Sequence, residues 1–415
     1  MTTLPSALIE ESPPARAASE RLLSVDALRG FDMFWIIGAG SLVTAVGKMQ
    51  DNAVTRFLAT QLKHCDWEGF HFYDLIFPLF LFIMGVSMVF SLDKALAQGG
   101  RVQAVGRVLR RSLLLLLLGV FYYGGVSHRW PDVQLGGVLP RIALCYLFAA
   151  LIYCCCSTRL KTIAAISAGL LLGYWALMTW VPFPDLLLKA EVIKPLAAQI
   201  HSAEPADLAA ATPDRISGSY EEGRNLCNYV DFRLLLGRKM SGYYINEGLL
   251  STLPAIALCL FGIFAGRLLQ SRSVGGGCKV YWLILAGATA VGVGFLWSLK
   301  MPLIKRIWTS SFVLVAGGYG AILLGVFYLL VDVWKLRRWC QPFVWIGMNS
   351  ITIYLAASIL KFGDLAERFV GGDVKLFLET HVAQGFGTLV QALVGLGLAI
   401  WLTRFLYQRK IFLRV

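Results

Sequence analysis

Ten stretches of this sequence are each long and apolar enough to cross a lipid bilayer, and nothing else constrains the fold as tightly. They are roughly residues 27–47, 71–92, 112–126, 138–156, 162–181, 248–269, 281–299, 311–332, 342–360 and 384–407, the third being short and borrowing from its flanks. A span takes about 20 apolar residues, because the hydrocarbon core is about 30 Å thick and a helix rises about 1.5 Å per residue. Hydrocarbon offers no partner to backbone N–H and C=O groups, so such segments close their hydrogen bonds internally as helices. The expected fold is an all-α polytopic membrane protein with about ten transmembrane helices. Charged residues make up 15% of the 415, against about 25% in soluble domains, so the few that fall within apolar runs are informative.

Loop charges set the orientation. Lys94, Arg101, Arg107, Arg110 and Arg111 fall in the second connection, Arg159 and Lys161 in the fourth, Arg267, Arg272 and Lys279 in the sixth, and Lys335, Arg337 and Arg338 in the eighth. With Arg409, Lys410 and Arg414 of the tail they share one side, which is expected to be the cytoplasm, with both termini on it. The net charge of +13 follows from this bias, so the expected partner is the bilayer and not nucleic acid. Residues 1–20 are polar without a sustained apolar core, and read as a cytoplasmic tail rather than a signal peptide. The seventh connection, with Lys300, Lys305 and Arg306, is the one clear exception to the charge pattern.

The loop holding His64 then faces the opposite compartment. So does the longest loop, residues 182–247, with an amphipathic stretch (PDLLLKAEVIKPLAAQI) and four tyrosines, Tyr220, Tyr229, Tyr243 and Tyr244. Those rings either stack on sugar faces or form an interfacial belt. Most of the nine cysteines lie in apolar runs as small hydrophobes. Cys65 and Cys227 lie in outer loops, which leaves a bridge between them open, and no CxxC or His-rich spacing points to a metal. The glycines of "AGGYG" (316–320) and "GVGFLW" (292–297) suit close helix packing better than phosphate binding.

Polar groups collect at the two membrane edges. His64, Asp66, Glu68, Asp74, Arg141, Glu247, Thr309, Ser310 and Ser311 belong to the outer edge. Asp26, Arg29, Asp32, Asp332, Asn349 and Ser350 belong to the inner edge. An ionised group in lipid costs about 2.5–3.5 kcal/mol on insertion scales, so such groups pair or line a wet cavity. The set suggests a polar path open at both faces. An imidazole can take a proton from a nucleophile and return it to a leaving group near neutral pH, which makes His64 the candidate for chemistry, with Asp66, Glu68 or Asp74 to orient it. The plainer reading is a loop histidine bonded to water. His71 competes with it; His128, His201 and His381 lack comparable neighbours. Arg29 either snorkels as an ion pair with Asp26 or Asp32, or serves a ligand. Arg107, Arg110 and Arg111 are either positive-inside signal or a phosphate dock.

Six motifs in order carry a resemblance. "RLLSVDALRGFDMFW", "HCDWEGFHFYDLIFPLFLFIMGVS", "GVLPRIALCYL", "EGLLSTLPAIALCLFGIFAG", "LWTSSFVLVAGG" and "PFVWIGMNSITIYL" together resemble the heparan-α-glucosaminide N-acetyltransferase family of transmembrane acyltransferases and its bacterial relatives, over roughly residues 21–410. The second motif matches the family signature at His64, Trp67, Gly69, Asp74, Pro78, Phe80, Phe82 and Gly85. The resemblance implies one acyltransferase domain over 21–410, acetyl-CoA as co-substrate and a sugar or glycan acceptor. It also implies a homodimer, with His64 as the catalytic residue. The family moves acetyl from cytosolic acetyl-CoA to a glucosamine amine across the membrane, and the charge-derived topology places His64 and the basic loops on the sides this requires. Eukaryotic members carry an Asn near the outer end of the first helix, where this chain has Gly40. The sequence also has no counterpart to their lumenal domain before that helix. Without that domain or a signal peptide, the expected location is a bacterial inner membrane.

Two functions compete. In the first, His64 acts as general base or acyl-accepting nucleophile, with Asp74 beside it. Acetyl-CoA is then held by Arg29, Arg107, Arg110, Arg111, Arg141 and Asn349, and an extracytoplasmic amine or hydroxyl by Trp67, Glu68, Glu247 and Ser310. In the second, Asp32, Asp74, Arg141 and Glu247 serve a proton-coupled sugar transporter; the missing internal repeat weighs against it.

Overall fold

The computed structural model describes residues 22–413 apart from 50, 51, 128, 130 and 131. The tail at 1–20, His128 and Arg414 lie outside the described residues.

The chain is an all-helical multi-pass membrane protein. Helix α1 (Leu23–Phe34) passes through a π-helical turn, Trp35–Ala39, into α2 (Gly40–Met49). Gly38, at φ 136°, gives the turn a backbone that a side chain would oppose. Helix α3 (Ala53–Gln61) is capped by Asn52, whose carboxamide accepts from the amides of Val54 and Thr55. Then come α4 (Phe72–Tyr122), α5 (Val138–Cys156) and α6 (Leu160–Trp180). Among the described residues eight helical segments, α4 counted once, are long and apolar enough to cross a membrane, or nine if a pair bent by 82° counts as one span.

The second and third expected spans are the two limbs of α4, on either side of a break. Helix α4 runs 51 residues, which would extend about 75 Å if straight. Its two ends nevertheless meet: Tyr73 and Tyr122 line the same cavity. The reversal falls at Gly100, whose φ of 66° and ψ of −171° interrupt the helix. Polar connecting residues continue the helical hydrogen bonding, so composition alone suggested a loop where the structure has a broken helix.

The long segment 182–247 folds as a cap. It contains α7 (Ala190–Ile200), α8 (Pro205–Ala210) and α9 (Leu226–Leu234). Two short antiparallel ribbons join them, β1 (Phe183–Pro184) with β2 (Arg215–Ile216) and β3 (Tyr220–Glu221) with β4 (Arg224–Asn225). The amphipathic stretch is α7, with Ile193 packed against Leu208 and Phe232. The tyrosines are part of this packing: Tyr244 is buried, Tyr229 stacks on Phe183 and Tyr243 meets Phe232. Phe183, Leu226 and Cys227 in turn pack on Met301, Ile304 and Ile307.

Helices α10 (Thr252–Gln270), α11 (Gly276–Ser298) and α12 (Ser310–Tyr328) complete the central bundle. The bent pair α13 (Gln341–Met348) and α14 (Ser350–Leu360) follows, then α15 (Phe362–Val370), α16 (Gly372–His381) and α17 (Phe386–Gln408). Lipid supplies little hydrophobic drive between helices, so close backbone approach through small residues holds them. A Cβ on Gly85 would lie 2.0 Å from the Cys259 carbonyl oxygen, and one on Gly262 2.0 Å from that of Phe82, where α4 meets α10. A Cβ on Gly318, in "AGGYG", would lie 2.5 Å from the Gly287 oxygen of α11, so these glycines serve packing.

Candidate active site

The first turn of α4 organises the site. Asp74 is wholly buried there. Its Oδ2 accepts the backbone amides of His71, at 3.0 Å, and Cys65, at 3.2 Å. An acid in this turn also meets the positive end of the helix dipole. The bonds fold residues 64–71 back over the helix end and bring His64 Nδ1 to 2.9 Å from Asp74 Oδ1. A carboxylate only accepts, so Nδ1 carries a proton, and in the neutral ring Nε2 keeps its lone pair. The His64 side chain is 50% exposed, so that lone pair has access to a ligand.

A third group comes from far along the chain. Lys305, between α11 and α12, places Nζ 2.9 Å from His64 Nδ1 and 3.2 Å from Nε2. It also lies 3.5 Å from Asp74 Oδ1. Contact with both ring nitrogens sets the amine against the imidazole face, out of line with either lone pair. Burial pushes the Lys305 amine below its ordinary value, with Asp74 and Glu247 pulling the other way. The connection carrying it is tied down: Gly69 N donates to Leu303 O at 2.8 Å, and Ser311 Oγ donates to Met301 O at 2.6 Å. Trp308, three residues on, is buried at φ 50°, a left-handed conformation that a bulky residue holds only when its surroundings enforce it. The sequence signal for Lys305 was its breach of the loop-charge pattern.

A cavity of about 280 Å³ opens beside His64. Tyr73, Glu247 and Lys305 supply its polar wall, and Phe77, Tyr122 and Tyr354 are among its aromatic residues. A second cavity, of about 330 Å³, holds Arg29, Ser87, Ser91, Arg111 and Asn349. The two share Phe80, Leu139, Ile142, Ser350 and Ile351, so they are neighbouring chambers that meet at these residues. In the second chamber Arg29 donates to Ser87 Oγ and lies 3.5 Å from Asp26. The Arg111 guanidinium is 4.6 Å from the Tyr146 ring centroid. Asn349 Oδ1 is buried without a partner among the described residues.

The structure thus gathers His64 and Glu247 in one chamber, with Asp74 buried behind His64, and Arg29, Arg111 and Asn349 in the other. The other expected site residues lie elsewhere. Trp67 is outside both walls; its Nε1 donates to Tyr220 O at 2.7 Å and anchors the loop to the cap. Glu68, Arg107 and Arg110 are exposed, Arg107 donating to Gln103 Oε1 at 3.2 Å. Ser310 is buried and donates to Leu171 O at 2.8 Å. Arg141, also buried, donates to Gly248 O at 2.8 Å and to Ser251 Oγ, with its guanidinium 5.1 Å from the Trp308 ring centroid. Depth in the membrane led to Ser310 and Arg141, but they bond backbone carbonyls and neighbouring elements.

Cys65, His71 and Asp74 offer metal-ligand atoms within 4.8 Å of one another. Asp74 Oδ2 already accepts two amides there. Burial, with Asp74 next, pushes the Cys65 thiol up to about 11, away from the thiolate a metal takes. Cys65 and Cys227 are both free thiols.

The family described as "Domain of unknown function (DUF5009)" matches residues 21–189. The chain is similar to heparan-alpha-glucosaminide N-acetyltransferase of Mus musculus, 26% identical over 411 residues covering 85% of this chain and 56% of that protein. The Homo sapiens protein of the same name is 26% identical over 394 residues, with the same coverage. The resemblance drawn from the six motifs therefore extends along most of the chain, which spans about 56% of the length of these relatives.

Proposed function

Starting from that similarity, we propose that the protein is a membrane acetyltransferase that moves acetyl from acetyl-CoA to an amine or hydroxyl of a sugar. The observation that carries this reading is the His64–Asp74 pair beside one chamber whose neighbour is basic. The acetyl-CoA phosphates would bind at Arg29 and Arg111, with Asn349 Oδ1 accepting from an amide of the pantetheine arm. Arg107 and Arg110, exposed on the same helix, would draw the anionic co-substrate in. Glu247 would hold the acceptor. The basic chamber would open to the cytoplasm with both termini, and His64 would face the other compartment, in a bacterial inner membrane.

In direct transfer, the acceptor heteroatom attacks the thioester carbonyl while His64 Nε2 takes its proton. The tetrahedral intermediate expels CoA thiolate, which receives that proton from His64. In the two-step route Nε2 itself attacks and CoA thiolate leaves; the acceptor then takes acetyl from the imidazole, and the proton it loses balances the one the thiolate takes up to become CoA thiol. In both, Asp74 stabilises the cationic ring. The Lys305 ammonium lies where it can meet developing negative charge on the carbonyl oxygen. Arg141, Trp67 and Ser310 would act from a distance by holding the elements that carry Glu247, His64 and Lys305.

The test is transfer of labelled acetyl from acetyl-CoA by purified protein to a panel of amino and neutral sugars. CoA released without acceptor selects the two-step route. A proton-coupled transporter has one observation in its favour: Asp32 is wholly buried with neither oxygen partnered among the described residues. No transfer and no CoA binding, with proton-dependent uptake in vesicles, would establish that alternative.

A further inference from the structure

Glu247 reaches the His64 chamber from the connection between the cap and α10, and that connection is gripped from outside the chamber. Asp231, on α9, is wholly buried. Its Oδ1 accepts the Leu249 amide at 2.8 Å, and the Ile245 amide lies close enough to favour its charged form. Its Oδ2 has no partner among the described residues and lies against Gly248, where a Cβ would be 1.8 Å away. From the other side Arg141 Nη2 donates to the Gly248 carbonyl at 2.8 Å. Gly248 is thus pressed between an acid and a base, and Glu247 is its chain neighbour.

The groups facing Asp231 are Arg141 from α5, Lys239 from the segment after α9, Tyr174 from α6 and Cys227 on α9 itself. Neither cation forms an ion pair with it within 4 Å among the described residues; Lys239 instead donates to Phe232 O at 2.8 Å. Burial pushes the Asp231 carboxyl up to about 7, against the pull of the Leu249 amide and Arg141. Its charge therefore changes near neutral pH.

We propose that Asp231 is a positioning residue whose protonation state sets how firmly residues 245–249 are held, and with them the placement of Glu247 beside His64 and Lys305. An amide bond to a carboxylate is roughly twice as strong as one to a neutral acceptor. The grip is firm when Asp231 is ionised and slackens as pH falls and the acid takes up its proton. The kinetic consequence rests on the acetyltransferase reading; the grip itself does not.

Hydrogen–deuterium exchange over residues 245–249, corrected for intrinsic rates, tests the grip directly. Wild-type protein should be several-fold less protected at pH 6 than at pH 8, and Asp231→Asn should show no such change. Equal wild-type protection at both pH values, or an equal change in the variant, overturns the proposal. The wild-type series decides even if the variant folds poorly. In the transfer assay the wild-type acceptor KM should rise as pH falls over this range, while that of Asp231→Asn stays flat. A KM that ignores pH while exchange responds overturns the link to Glu247. Absence of transfer in both proteins removes the enzymatic reading and leaves the exchange result standing.

Discussion

Lys305 Nζ lies 2.9 Å from His64 Nδ1 and 3.5 Å from Asp74 Oδ1, although 241 residues separate the lysine from the histidine. A cation so close to a neutral imidazole and a buried carboxylate ties the α11–α12 connection to the start of α4. It also places positive charge where the proposed reaction generates an oxyanion.

Lys305→Met should lower kcat about 10²–10³-fold, the range seen when a single oxyanion donor is removed, with Lys305→Arg retaining a substantial part. The pH dependence has a definite sign. The ammonium exists below the amine's pKa, burial depresses that pKa, and activity should fall on the alkaline side earlier than for an ordinary lysine. Arginine stays charged, so the alkaline limb of kcat should move upward in Lys305→Arg. An unmoved limb would remove the ammonium from the mechanism.

Asp74→Asn keeps size and burial but presents an N–H₂ group that can donate to His64 Nδ1. The ring proton then moves to Nε2 and the reactive lone pair is lost. Activity should fall on the order of 10³–10⁴-fold, as in serine hydrolases given the same change. Kinetics together with a thermal melt check this, and a near-normal rate in folded variant would contradict it.

Arg111→Gln and Asn349→Ala should each weaken acetyl-CoA binding about tenfold, the loss of one charge-assisted or buried hydrogen bond. The acceptor KM should not change. Arg107→Gln and Arg110→Gln, at exposed positions, should act weakly and lose their effect in high salt. Calorimetric titration with CoA separates the two classes.

Gly85→Val should prevent accumulation of folded protein, because even a Cβ there would come within 2.0 Å of the Cys259 carbonyl oxygen. A substitution at Gly397, where a Cβ meets nothing within 4 Å, should be tolerated. Membrane-fraction yield and size-exclusion profiles read both.

The spacing of apolar runs was enough to read an all-helical membrane fold, and the acids near His64 narrowed its partner to Asp66, Glu68 or Asp74, of which the structure pairs Asp74. Both depend on local sequence: hydrocarbon thickness fixes span length, and a loop running into a helix fixes who meets the first turn. The break at Gly100 was harder to read, because a polar turn that keeps helical hydrogen bonding looks like a loop in composition. Lys305 showed only as an unexplained charge, since its partners lie hundreds of residues away. Arg141 and Ser310 show the complementary limit. A polar residue at depth has the same sequence signature whether it lines a cavity, as Glu247 does, or bonds a buried carbonyl.

The central claim is that His64 Nε2 is the reacting atom, and the direct measurement is acetyl transfer by wild-type and His64→Ala protein with acetyl-CoA affinity measured alongside. Transfer should vanish in the variant while acetyl-CoA affinity stays within a few-fold of wild type, because the basic chamber does not include His64. Transfer by His64→Ala at a rate near that of wild type would contradict the account.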